Sequence, residues 1–131
     1  MQRFTQIKTW ERSHAFVLAI YKESKVFPRH ELFGITSQLR RAAVSVSCNI
    51  AEGSKRRSRC DYARFLNIAE ASIAEVEALL MICKDLGYLV LVRAAQLLEE
   101  AEVIARMASL LRQAVESAER RAFRSIATSP P

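Results

Sequence analysis

Glycine and proline are scarce: three of each in 131 residues, with two of the prolines, Pro130 and Pro131, at the very end. Only Pro28 can interrupt the body of the chain, and such sparse punctuation favours a few long helices. Asn-Gly turns and runs of β-branched residues are absent, which excludes hairpins. The three cysteines, Cys48, Cys60 and Cys83, are odd in number and form no C-x-x-C, so neither a disulfide framework nor a zinc site is indicated. No apolar leader follows Met1-Gln2-Arg3 and no apolar run reaches bilayer length, so the chain reads as cytoplasmic.

Histidine is scarcer still. A di-iron bundle needs a Glu-x-x-His on each of two helices, plus two further glutamates. Glu11 and His14 provide one such spacing, but the other histidine, His30, follows Pro28 in a loop. His14 is therefore read as an ordinary histidine on the bundle face. P-loop, G-x-S-x-G and H-E-x-x-H patterns are missing as well. The expectation is a protein without enzymatic activity, cofactor or metal.

What is present is apolar periodicity. Half of the residues are hydrophobic, enough for one domain with a core. A first helix is expected from about Trp10 to Val26, capped by Thr9, with Trp10, His14, Val17, Tyr21 and Ser24 on one face and Phe16 and Ile20 widening it. Pro28 stops it. A second helix is expected to start after Thr36 or Ser37, to bury Leu39, Ala43, Val46 and Ile50, and to end at Gly53, read as a C′ glycine free to take positive φ. Ser58 and Asp61 resemble a capping box for a third helix, whose core face is Phe65, Ala69, Ser72, Val76, Leu79 or Leu80, and Cys83. Gly87 and Tyr88 fit a Schellman-type stop. A fourth helix from about Val92 to Arg120 carries a stripe from Leu97 to Ala118. Short connections make neighbours antiparallel. The fold class is thus all-α, an up-down-up-down four-helix bundle over residues 1–124 with a frayed tail from 125 to 131.

The formal charge is +6, and its placement matters more than its size. Between Arg40 and Arg64 stand seven cations (Arg40, Arg41, Lys55, Arg56, Arg57, Arg59 and Arg64) against Glu52 and Asp61, leaving +5 in one helical hairpin. Arginine forks suit phosphate oxygens, so these residues are the candidate nucleic-acid contacts. Arg41 has a structural alternative, pairing with Glu52, Glu75 or Glu77. Tyr62 could stack on a base, but its phase places it at the core. Asn49, costly near a helix end, is expected to tie the second helix to a neighbour. Ala71, Ala74, Ala78, Met81 and Ile82 form a small apolar seam off the core face of the third helix, a candidate surface for self-association.

The run QLRRAAVSVSCNIAEG, the basic turn, DYARFLNIAEASIAEVEALL and DLGYL, with Trp10, Phe27-Pro28, Glu31 and Gly34, resembles the four-helix-bundle family of 23S rRNA intervening-sequence proteins. The likeness covers roughly Trp10 to Leu111. Ser47 stands where that family often has Pro, and Ala71 where a Gly-Ser pair is common. The resemblance implies a homo-oligomer, most simply a pentamer, since a related branch, the accessory protein of diversity-generating retroelements, is a five-fold barrel. It implies as partners a nucleic acid (ribosomal RNA or another RNA or DNA) and a reverse transcriptase or other protein. It supplies no catalytic residues. Taken together, these readings point to a non-enzymatic oligomeric accessory protein that binds nucleic acid through the basic turn. The alternative is a protein-interaction scaffold that uses the same turn to grip an acidic protein.

Overall fold

A computed structural model of the chain describes residues 3–128. Four α-helices account for nearly all of it: α1 (Lys8–Ser24), α2 (Ile35–Ser54), α3 (Arg59–Asp85) and α4 (Leu91–Ala127), with short 3-10 turns at Phe4–Gln6 and Arg29–Glu31 and no strand among the described residues. Sequential helices are neighbours. α3 packs along both α2 and α4, α1 packs on α2, and a lighter α1–α4 contact closes the square. This is the four-helix bundle that the periodicity predicts.

The expected stripes of α2, α3 and α4 are the buried ones. Leu39, Ala43, Val46 and Ile50 meet Leu66, Ala69, Ile73, Val76 and Leu80, with Leu97, Ala101 and Ile104 completing the core. Ionic straps lie outside it: Arg12 on Glu100 at 2.8 Å, Arg93 on Glu23 at 2.6 Å, and Arg112 on Glu70 and Glu116. Half-exposed pairs of this kind are worth at most about 1 kcal/mol each and serve mainly to set register.

α1 differs from expectation. It begins at Lys8, after the 3-10 turn, with Ile7 rather than Thr9 at the N-cap, and it ends at Ser24. Its buried positions are Thr9, Ser13, Phe16, Ile20 and Ser24, whereas His14 and Tyr21 are exposed and Trp10 and Val17 half-buried. The core axis is rotated toward Phe16 and Ile20 because small hydroxyls enter it at Ser13 and Ser24. Each satisfies its own donor on the helix: Ser13 Oγ donates to the Trp10 carbonyl at 2.8 Å and Ser24 Oγ to that of Ile20 at 2.7 Å. Ser24 lies on the expected face, but Ser13 does not, and its burial marks the rotation.

α2 starts earlier than expected, at Ile35 with Gly34 as N-cap. Gly53 is not a C′ residue. It lies within α2, is buried, and lacks a positive φ; Lys55 is the C-cap. Its lack of a side chain serves packing: a Cβ there would fall 2.7 Å from Phe65 Cβ and 3.0 Å from Tyr62 Cδ1. At Ser58 the expected cap forms, the hydroxyl accepting the Asp61 N–H at 3.0 Å. The Asp61 carboxylate faces arginines instead, Arg64 at 2.8 Å and Arg56 at 3.7 Å. Gly87 has φ +79°, the Tyr88 N–H reaches the Cys83 carbonyl at 2.9 Å and the Gly87 N–H reaches Lys84, the Schellman pairing. Tyr88 then packs on Phe27 and donates its hydroxyl to Glu31 at 2.9 Å.

α4 outlasts its expected end. It continues through Ala127, because nothing between Arg120 and Ala127 breaks a helix, and Thr128 Oγ1 closes on the Arg124 carbonyl at 2.9 Å. The expected frayed tail is thus helical as far as Ala127; Pro130 and Pro131 lie outside the described residues.

Two outcomes follow. Gly53→Ala should lower stability by about 1–3 kcal/mol in urea titration, overpacking against Phe65 outweighing the gain in helix propensity. Burial pushes the Cys83 thiol up to about 11, helped by the nearby Glu31 carboxylate, while Cys48 and Cys60 are exposed. A thiol reagent near neutral pH should therefore label Cys48 and Cys60 in the native protein, and Cys83 only after denaturation.

Candidate functional site

The α2–α3 turn is placed by the fit of Gly53 against Phe65 and Tyr62. Because α2 and α3 meet so closely there, the connection is short, and its residues project from the end of the bundle. Lys55, Arg57 and Arg59 are exposed, and among the described residues their side chains form no hydrogen bond or ion pair, although the Lys55 backbone N–H caps α2 on the Glu52 carbonyl. None of the three side chains is ion-paired, although Glu52 shares a cleft with Lys55, and Glu116 and Glu119 share one with Arg59.

Arg56 and Arg64 behave differently. The Arg56 guanidinium lies 4.4 Å from the Phe65 ring centroid, with Glu52 at 3.9 Å and Asp61 at 3.7 Å. Arg64 covers the same ring at 4.8 Å and pairs with Asp61. The two arginines clasp Phe65 around one carboxylate, and their charge is partly spent within the chain.

Arg40 and Arg41 are not part of this group. Fifteen residues of helix separate Arg40 from Lys55, about 22 Å of axis. Arg40 donates Nε to Ser24 Oγ at 2.8 Å and lies over the Tyr21 ring at 4.7 Å. Arg41 is exposed and pairs with none of Glu52, Glu75 or Glu77. Asn49 donates to Ser45 O at 2.8 Å and to Ser45 Oγ at 3.0 Å, and Ser45 Oγ meets Ser72 Oγ on α3 at 2.8 Å. Asn49 itself bonds only within α2, and the tie to α3 expected of it is made by Ser45 instead. Tyr62 is half-buried against the core, and that burial pushes its phenol up.

Two clefts adjoin the turn. One, of about 450 Å³, lies between the start of α3 and the end of α4, with Arg59, Cys60, Arg64, Glu116, Glu119 and Arg120 among its walls. Arg120 thereby joins the turn across some sixty residues of sequence. The charge window around the hairpin missed it; the antiparallel topology, which returns the end of α4 to the start of α3, is the signal that finds it. The other cleft, of about 360 Å³, is bounded by Phe4, Ala51, Glu52, Lys55 and Arg56.

The small apolar seam faces outward. Ala71, Ala74 and Ala78 are exposed, and Met81 and Ile82 remain 51% and 47% accessible in the single chain. Among the described residues no three His, Cys, Asp or Glu side chains gather as metal ligands. Nor is any described helix long and apolar enough to cross a membrane.

A crystal structure of a protein of unknown function from the S23 ribosomal protein family of Bacteroides thetaiotaomicron has the same fold. It aligns with TM-score 0.74 at 21% identity, over 79% of this chain and 97% of that one. No curated protein matches the chain. The family model described as 23S rRNA-intervening sequence protein matches residues 5–110, which takes in every helix that shapes the turn. The chain therefore belongs to the 23S rRNA-intervening sequence protein family.

Proposed function

We infer that this protein is a non-enzymatic, oligomeric, cytoplasmic accessory protein that holds nucleic acid by its phosphates at the α2–α3 turn. One observation carries the reading: Lys55, Arg57 and Arg59 are exposed cations whose side chains have no carboxylate partner, with Arg120 facing Arg59 across a cleft. Unpaired cations brought this close repel one another, and a polyanion relieves that repulsion while releasing its own counterions. The family's description names a 23S rRNA intervening sequence, and an RNA ligand fits that description.

Replacing Lys55, Arg57 and Arg59 together by Ser should leave the helical signal and thermal midpoint nearly unchanged. Fluorescence anisotropy with labelled RNA or DNA should show the log–log salt slope flattened by roughly two to three, close to one per lost phosphate contact. Wild-type protein that binds neither nucleic acid at low salt would retire this reading and leave an acidic protein as the partner of the turn. Arg56→Ala should instead cost stability, on the order of 0.5–1 kcal/mol, through the lost stacking on Phe65.

Self-association is assigned to the α3 seam, where alanines let a second helix approach and Met81 and Ile82 gain cover. A pentameric ring would present the turn five times and turn weak phosphate contacts into avidity. Light scattering after gel filtration should give several times the 14.8 kDa chain mass. Ala78→Glu should return it to the monomer mass with helicity intact. A wild-type monomer at micromolar concentration would count against the seam.

A further inference from the structure

The flank of α1 that hydrophobic periodicity assigns to the core carries a row of rings, Trp10 half-buried and His14 and Tyr21 exposed, extended by the half-buried Phe4. The Phe4 ring meets Trp10 edge-on at 5.1 Å. Trp10 in turn stacks on His14 at 4.8 Å with 16° between the planes. His14 is exposed, so the end of this stack is open to solvent. Two turns further along the same face comes Tyr21, 41% exposed, with the Arg40 guanidinium over its ring. The row is bounded by cations at both ends. At the Phe4 end it opens into the cleft shared with Lys55, and at the Tyr21 end stands Arg40. Along the adjoining edge of α2, Arg40, Val44, Ala51 and Lys55 are half-buried or exposed, and the acid lining the cleft at the Phe4 end, Glu52, lies 3.9 Å from Arg56.

Rings standing partly in water, with cations at either end of the row, combine the two elements that bind an unpaired nucleic-acid strand. Bases stack on aromatic faces irrespective of sequence, and phosphates follow the positive charge. A duplex offers the phosphates but hides the base faces. Resting on the nucleic-acid reading of the turn, we propose that the α1–α2 flank is a track for an unpaired strand of RNA or DNA, with the open face of His14 as the stacking platform and Lys55 and Arg40 as the phosphate anchors at its two ends. The track assigns Arg40, distant from the turn, to the same ligand.

Trp10 is the only tryptophan of the chain, so its fluorescence reports on this row alone. Oligouridylate and oligothymidylate serve as the single strands, and a fully paired hairpin of equal phosphate count as the comparison. The single strands should quench Trp10 fluorescence over the concentration range in which anisotropy rises, and the hairpin should bind more weakly without quenching. His14→Ala, at an exposed position, should retain the helical signal and the salt slope while weakening single-strand binding between about fivefold and a hundredfold. His14→Phe, which keeps a ring there, should restore it. Single strand and hairpin binding equally, with no quenching and no effect of His14→Ala, would overturn the track and leave the basic turn as a phosphate site. Absence of binding by every oligonucleotide at low salt would overturn both readings.

Discussion

The close approach of α2 and α3 at Gly53 is the constraint on which the functional end of the molecule depends. With no Cβ at that position, Phe65 and Tyr62 lie directly against the α2 backbone. The helices are held together up to the last turn before they part, and only four residues, Lys55 to Ser58, connect them. A short connection concentrates charge. At physiological ionic strength the screening length is about 8 Å, so cations a few residues apart in a tight turn still feel one another. The same residues in a long loop would spread and be screened.

The repulsion is relieved unequally. Asp61 sits in the first turn of α3, where the helix dipole favours an acid, and there it draws Arg64 and Arg56 across the face of Phe65. Those two arginines close the packing around the ring that Gly53 admits. Lys55, Arg57 and Arg59 have no such partner and point outward. Paired and unpaired cations thus stand side by side along one segment, and a count of charges in the sequence cannot sort them. What sorts them is the position of Phe65 and Asp61, which follows from the phase of α3.

The fold was legible to the extent that apolar side chains alone define the core. α2, α3 and α4 bury aliphatic stripes, and their faces were readable from spacing. α1 buries Ser24, which lies on the expected face, but also Ser13, which bonds the Trp10 carbonyl and does not, and the reading from apolar spacing rotates the helix toward Trp10 and Tyr21. Gly53 was visible as a helix-ending glycine but not as a packing glycine, because the ring it accommodates belongs to another helix. The basic turn was legible as a cluster, whereas Arg120 entered only through topology and Arg40 left it through distance along α2.

The rotation of α1 has a functional side. Had Trp10, His14 and Tyr21 faced the core, the α1–α2 flank would be polar, and the turn would stand alone as a phosphate-binding knob. Two buried serines instead let Phe16 and Ile20 take the centre, and the larger rings are displaced to the edge, where they cover the core on one side and meet water on the other. Trp10 spans the two environments, packed on the core yet stacked on an exposed histidine. A ring so placed is rigid, because the core fixes it, and its neighbour remains accessible. Rigidity matters to a stacking site, since a platform that must be ordered on binding loses part of the stacking energy to entropy. The burial of Ser13, which apolar spacing does not reveal, accompanies the placement of Phe4 and Trp10 near the basic turn and of Tyr21 near Arg40.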